Sequence, residues 1–119
     1  MAISIEIGTI QDAIAVEAGI PEFGQARTEE DYIARINHRT DLILIAKDIS
    51  EIGKRLVGFK VGYALNETTF YSWVGGVIPG FRRLHLAQQM LEKQEAWVKD
   101  QGYKQLDVKS MNKFPGMLM

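Results

Sequence analysis

The chain has 119 residues, 46% of them apolar and 24% charged, which is the size and balance of one compact domain able to bury a core without covalent staples. It contains no cysteine, so disulfides, zinc–thiolate sites and thiol nucleophiles are excluded, and no metal site is expected. A net charge of −1 argues against a dedicated nucleic-acid binder. The longest uninterrupted apolar run, Leu42 to Ala46, is too short to cross a bilayer, and the N-terminus lacks the regions of a signal peptide, so a cytoplasmic protein with no membrane partner is expected. Charge is unevenly spread: residues 1–80 hold seven Lys/Arg against eleven Asp/Glu, and residues 81–119 hold seven against four.

In chain order, residues 3–7 read as a short strand. Thr9 and Asp12 have the spacing of a capping box and start a helix over residues 10–18, which Gly19 and Pro21 end. Thr28 and Asp31 repeat the device, starting a second helix that turns Tyr32, Ile33 and Ile36 inward and finishes near His38. Residues 41–47 form a buried strand, 48–54 a turn, and 55–65 a third strand. Asn66 and Glu67 close a hairpin into a fourth strand over 68–78, interrupted by Gly75 and Gly76. From Leu84 to Gln101, apolar residues at three- and four-residue spacing predict a helix burying Ala87, Met90, Leu91 and Val98, capped by Gly102. A fifth strand covers 104–110, and residues 114–119 begin a further helical segment.

Short turns between the middle strands force antiparallel pairing, whereas the long helix between the fourth and fifth strands makes a crossover that sets those two parallel. The expected class is α+β, with a mixed sheet between two helical layers in one domain over residues 1–119. The switch from antiparallel to parallel pairing is the place to seek a site. There, a strand ends at Pro79 and turns into a helix, so unpaired backbone N–H groups and the positive end of the helix dipole point at one spot. Arg82 and Arg83 at that turn add forked donors suited to phosphate oxygens. Neither a P-loop nor a dinucleotide-binding glycine motif is present.

The stretch Val77-Ile78-Pro79-Gly80-Phe81-Arg82-Arg83-Leu84-His85-Leu86-Ala87 resembles the cofactor motif of the GNAT N-acyltransferase superfamily, V-x-P-x-x-[QR]-x-x-G-x-[GA], followed by a helix. The order of elements is similar along the whole chain. The resemblance implies that the turn holds the pyrophosphate of acetyl-coenzyme A and that the fourth and fifth strands splay around its pantetheine arm. It places cofactor contacts at Val77, Arg82, Arg83, Leu84, His85, Leu86 and Ala87, and at Asn112 after the fifth strand. His85 departs from the pattern, because it stands at the first motif glycine, where a side chain would crowd the phosphate. Two readings stay open: the ring swings outward and the amide still donates, or the pocket is impaired.

The implied reaction is attack of a neutral amine on the thioester carbonyl through a tetrahedral oxyanion, which backbone N–H groups around Gly75 to Val77 would stabilise. The family often supplies the acid that meets the thiolate from a tyrosine seven residues after the asparagine. Here that position is Met119, which cannot donate. Tyr71 and Glu22 are therefore the candidate acid and base, with Tyr63, Ser72 and Trp73 as pocket lining. The expected function is acetyl-CoA-dependent N-acetylation of a small-molecule or peptide amine. The alternatives are a catalytically silent GNAT-like module binding coenzyme A or a protein partner, and an unrelated α/β domain. Because the family continues beyond the point where this sequence stops, the fifth strand and the apolar residues Phe114, Met117, Leu118 and Met119 would lack cover; either the sequence is a piece of a longer protein or two copies meet here, and a homodimer through this region is expected.

Overall fold

Two capping boxes start the helices on one side of the sheet. Thr9 Oγ1 accepts from the Asp12 N–H at 3.1 Å while the Asp12 carboxylate accepts from the Thr9 N–H at 3.0 Å, opening α1 at Ile10–Glu17. Thr28 and Asp31 make the same reciprocal pair at 3.2 and 2.8 Å, opening α2 at Glu29–Ile36. Each box satisfies two backbone donors that the first helical turn leaves unpaired. A single-turn 3-10 helix at Pro21–Phe23 lies between them. The computed structural model describes residues 2–50 and 54–108.

The strands are β1 (Ile3–Ile7), β2 (Asp41–Asp48), β3 (Arg55–Ala64), β4 (Thr69–Val77) and β5 (Gln105–Val108). They form one sheet in the order β1-β2-β3-β4-β5. The first four are antiparallel, and β4 pairs with β5 in parallel, as the crossover requires. Asn66 closes the β3–β4 hairpin by accepting from the N–H groups of Thr68 and Thr69, both at 2.9 Å. The crossover runs through a 3-10 helix, Pro79–Leu84, and then α3, Leu86–Asp100.

Alternation along the strands divides the core into two layers. Ile43, Ile45, Val57, Phe59 and Val61 pack with Ala13, Val16 and Tyr32 of the first two helices. Leu42, Leu44 and Phe70 pack with Val98 and the ring of Trp97 on α3. The architecture is therefore helix, sheet, helix, as the sequence predicts. Helix α3 sits close on β3 because Gly62 has no side chain: a Cβ there would lie 2.8 Å from Gln94 Nε2.

Four expectations need correction. Ile33 is 52% exposed; on the eight-residue α2 the buried apolar residues are Tyr32 and Ile36. Asn37, with φ of 48°, ends that helix one residue before His38. The predicted helix at Leu84 begins instead at Leu86, because residues 79–84 wind as a 3-10 helix and His85 turns left-handed. On α3, Gln94 rather than Leu91 reaches full burial.

Candidate active site

Within the described residues, which end at Val108, β4 pairs with β5 from Thr69 opposite Gln105 to Ser72 opposite Val108. A β-bulge interrupts the β3–β4 pairing: Val74 faces Val61 and Ser72 faces Gly62, leaving Trp73 as the extra residue on β4. Between β3, β4 and α3 lies a cleft of about 300 Å³ whose lining includes Lys60, Ser72, Trp73, Gly75, Met90 and Val108. Gly75 and Gly76 belong to its wall but serve packing first. A Cβ at Gly75 would stand 2.9 Å from the Phe59 carbonyl oxygen, and one at Gly76 would stand 2.8 Å from Ile20 Cδ1.

Where the cleft meets the start of α3, a second cavity of about 420 Å³ is lined by Val77, Arg82, His85, Ala87 and Gln88. The first α-helical hydrogen bond of α3 runs from the Gln89 N–H to the His85 carbonyl at 3.1 Å. The N–H groups of Leu86, Ala87 and Gln88 lie ahead of that bond, at the positive end of a helix of fifteen residues. That arrangement suits an anion. Arg83 and Leu84 are exposed on the 3-10 turn beside it, whereas the Leu86 side chain is buried in the core. Asn112 lies outside the described residues.

His85 occupies the left-handed region, with φ of 57° and ψ of 31°. A glycine adopts that conformation freely, and an L side chain does so at a cost. The motif position thus demands glycine-like backbone geometry, and this chain meets the demand with a histidine whose ring is exposed and makes no capping hydrogen bond.

Arg82 is held on three sides. Its Nε donates to the Val77 carbonyl at 3.0 Å, and its two terminal nitrogens donate to Glu22 at 2.8 and 2.7 Å. The bidentate pair joins the 3-10 turn after α1 to the turn before α3. The Arg82 guanidinium, donating to its carboxylate, holds Glu22 down at about 2. A carboxylate that weakly basic is a poor proton acceptor, so the two residues that sequence reasoning assigned to separate tasks form one ion pair.

Tyr71 lines a third cavity, of about 570 Å³, together with Tyr63, Leu65, Leu106, Asp107 and Val108. Val108 belongs to this cavity and to the cleft, so the two adjoin there. Sequence reasoning missed Asp107, which is Tyr71's register partner on β5. It also missed Lys60, whose ammonium is pushed below the usual lysine range by burial in the cleft. The parity of an alternating strand flags Lys60 as a polar residue facing α3, but its burial depends on the later helix.

These features coincide with a known family. The Acetyltransferase (GNAT) family profile matches residues 13–113, and the chain belongs to that family. Comparison with curated proteins gives no match. Among solved structures, the fold is similar to a GNAT acetyltransferase from Staphylococcus aureus Mu50, with 19% identity, a TM-score of 0.73 and coverage of 98% of this chain and 79% of that one. It is similar to a GNAT acetyltransferase from Elizabethkingia anophelis with acetyl-CoA bound, with 20% identity, a TM-score of 0.67 and coverage of 98% and 70%. An aminoglycoside acetyltransferase from an uncultured soil metagenomic sample, in complex with sisomicin, gives 13% identity, a TM-score of 0.73 and coverage of 98% and 82%.

Proposed function

We propose that this GNAT-family acetyltransferase is an N-acetyltransferase that uses acetyl-CoA and transfers the acetyl group directly to an amine. The observation that carries the reading is the continuity, through Ala87, of the cavity at the start of α3 with the cleft between β4 and α3. Phosphates would meet the N–H groups of Leu86, Ala87 and Gln88, and the pantetheine arm would follow β4 past Val77. The thioester would then lie near Ser72 and Val108, where the cleft adjoins the cavity that holds Tyr71. Solved relatives of this fold carry acetyl-CoA or an aminoglycoside, which supports a coenzyme A donor and an amine acceptor.

In the reaction, the amine nitrogen bonds to the thioester carbon and the oxygen gains negative charge, which backbone N–H groups of β4 around Gly75 to Val77 would receive. Collapse breaks the C–S bond, and the Tyr71 hydroxyl is the proposed proton donor to the departing thiolate. With Glu22 engaged by Arg82, Asp107 becomes the nearer candidate to accept the amine proton. The cavity at Tyr71 is open to a small amine. The test is thiol release from acetyl-CoA on adding a panel of amines. Release that depends on both amine and enzyme supports transfer, whereas binding of coenzyme A without release under any amine selects the silent-module reading, for which His85 in the motif glycine position is the evidence.

A further inference from the structure

On the face of β4 turned toward α2, aromatic rings and arginines alternate. Tyr63 contacts both Tyr71 and Trp73 edge-on, with ring centroids 5.5 and 6.1 Å apart, and Tyr32 packs on Trp73 at 5.2 Å. Three guanidinium groups lie over these rings. Arg27 is 5.2 Å and Arg35 5.0 Å from the Trp73 ring, and Arg39 is 5.4 Å from the Tyr63 ring. Stacking of this kind holds an arginine in place while leaving its edge N–H groups free to donate.

The charges are not balanced locally. Arg27 is neutralised by the buried Glu17, at 3.1 Å, and Glu17 also accepts from the Tyr32 hydroxyl. Arg35 and Arg39 take part in no ion pair among the described residues. Of the nearby carboxylates, Glu22 is bound by Arg82, Asp31 caps α2, Glu29 accepts from the Gln11 amide and Asp41 shares a hollow with Arg39; neither they nor Glu30 form an ion pair with Arg35 or Arg39 among the described residues. On the other side of the Tyr63–Tyr71 wall, Asp107 lines the cavity where the amine would react.

We infer that the acceptor is an amine that also carries an oxyanion, a carboxylate or a phosphate, which Arg35 and Arg39 receive while the amino group enters the cavity beside Tyr71 and Asp107. The inference rests on the acyl-transfer reading for the identity of the reacting amine. The geometry also opposes a polycation, which would have to approach two uncompensated guanidinium groups.

The test is a matched set of amines, run in two assays: calorimetric binding to the coenzyme A-saturated protein, and thiol release with acetyl-CoA. The set holds a free amino acid, the same compound as its amide, the corresponding phosphorylated amine, and spermidine. The expected result is at least a tenfold preference for the amino acid or the phosphorylated amine over the amide and spermidine, and the better of the two anions identifies the oxyanion. Arg35→Gln and Arg39→Gln should raise KM or Kd for the anionic amine with kcat little changed and leave the amide unaffected. Arg35→Lys should recover part of the loss, which a merely structural role would not allow. If anionic amines bind in this arginine-dependent manner but release no thiol, the transfer reading fails, and with it the role of acceptor, while the oxyanion site at Arg35 and Arg39 stands. If the amide or spermidine binds as well as the anionic amines, or if no amine binds, the inference is overturned whether or not acetyl transfer occurs.

Discussion

Replacing His85 with glycine should stabilise the protein and tighten the cofactor together. At φ of 57° and ψ of 31°, a residue with a Cβ carries about 1–2 kcal/mol of left-handed strain. Glycine removes that strain but adds about 0.5–1 kcal/mol of unfolded-state entropy. The imidazole is exposed and caps nothing, so little packing is lost with it. The net gain is about 0.5–1 kcal/mol, equivalent to roughly 2–4 °C in melting temperature for a domain of this size. Removing the side chain also clears one wall of the cavity at the head of α3, and coenzyme A affinity should rise severalfold. Thermal unfolding and calorimetric titration measure the two effects. His85→Ala is the decisive control, because it deletes the ring and keeps the Cβ: its stability should not rise. An alanine variant as stable as the glycine one would refute the strain argument, and weaker cofactor binding in the glycine variant would show that the imidazole is itself a phosphate donor.

Arg82→Ala should weaken coenzyme A more than a pyrophosphate-free pantetheine analogue, with some loss of thermal stability because Arg82 Nε also ties down the Val77 carbonyl; equal losses for both ligands in titration would assign the residue to folding alone. Glu22→Gln should tighten coenzyme A by freeing the Arg82 fork and should not abolish turnover, and a loss of turnover of a thousandfold would restore Glu22 as the base. The same substitution bears on acid stability. Since the folded pKa of Glu22, at about 2, lies below its ordinary value of 4.5, its contribution is full above pH 4.5 and is lost as pH falls toward 2, so the variant should show a shallower acid limb across that window in pH-dependent melting. Gln94 is fully buried on α3 with neither amide atom paired to protein, so Gln94→Met should raise stability by about 1 kcal/mol; an unchanged melting temperature would mean that solvent satisfies the amide. Glu17→Ala should cost about 3 kcal/mol, because Arg27 and the Tyr32 hydroxyl then lose a buried common acceptor, and a loss below 1 kcal/mol in denaturant unfolding would contradict that role.

What could be read from the sequence was local. Thr9 with Asp12 and Thr28 with Asp31 announce their helices because both members of each box lie within one turn. The switch to parallel pairing follows from connection lengths, and the cradle from the Val77-to-Ala87 motif. What escaped depends on partners distant in the chain. Glu22 and Arg82 are 60 residues apart, so no spacing rule reveals that one occupies the other. Arg27, Arg35 and Arg39 read as solvated charges until β3 and β4 bring Tyr63 and Trp73 under them. Ile33 fits the apolar spacing of an inner face, but a helix of only two turns buries Tyr32 and Ile36 and leaves Ile33 half exposed. The left-handed turn at His85 was hidden for a different reason: the residue type gives no hint of a conformation that the motif position imposes.

The most direct measurement of the central claim is the thermal stability of the intact protein with and without acetyl-CoA. A ligand present at about a hundred times its dissociation constant adds roughly 2.7 kcal/mol to the folded state, so a clear rise in melting temperature that grows with ligand concentration is predicted, and Arg82→Ala should diminish it. No rise at millimolar acetyl-CoA would contradict the cofactor site at the head of α3 and, with it, the proposed reaction.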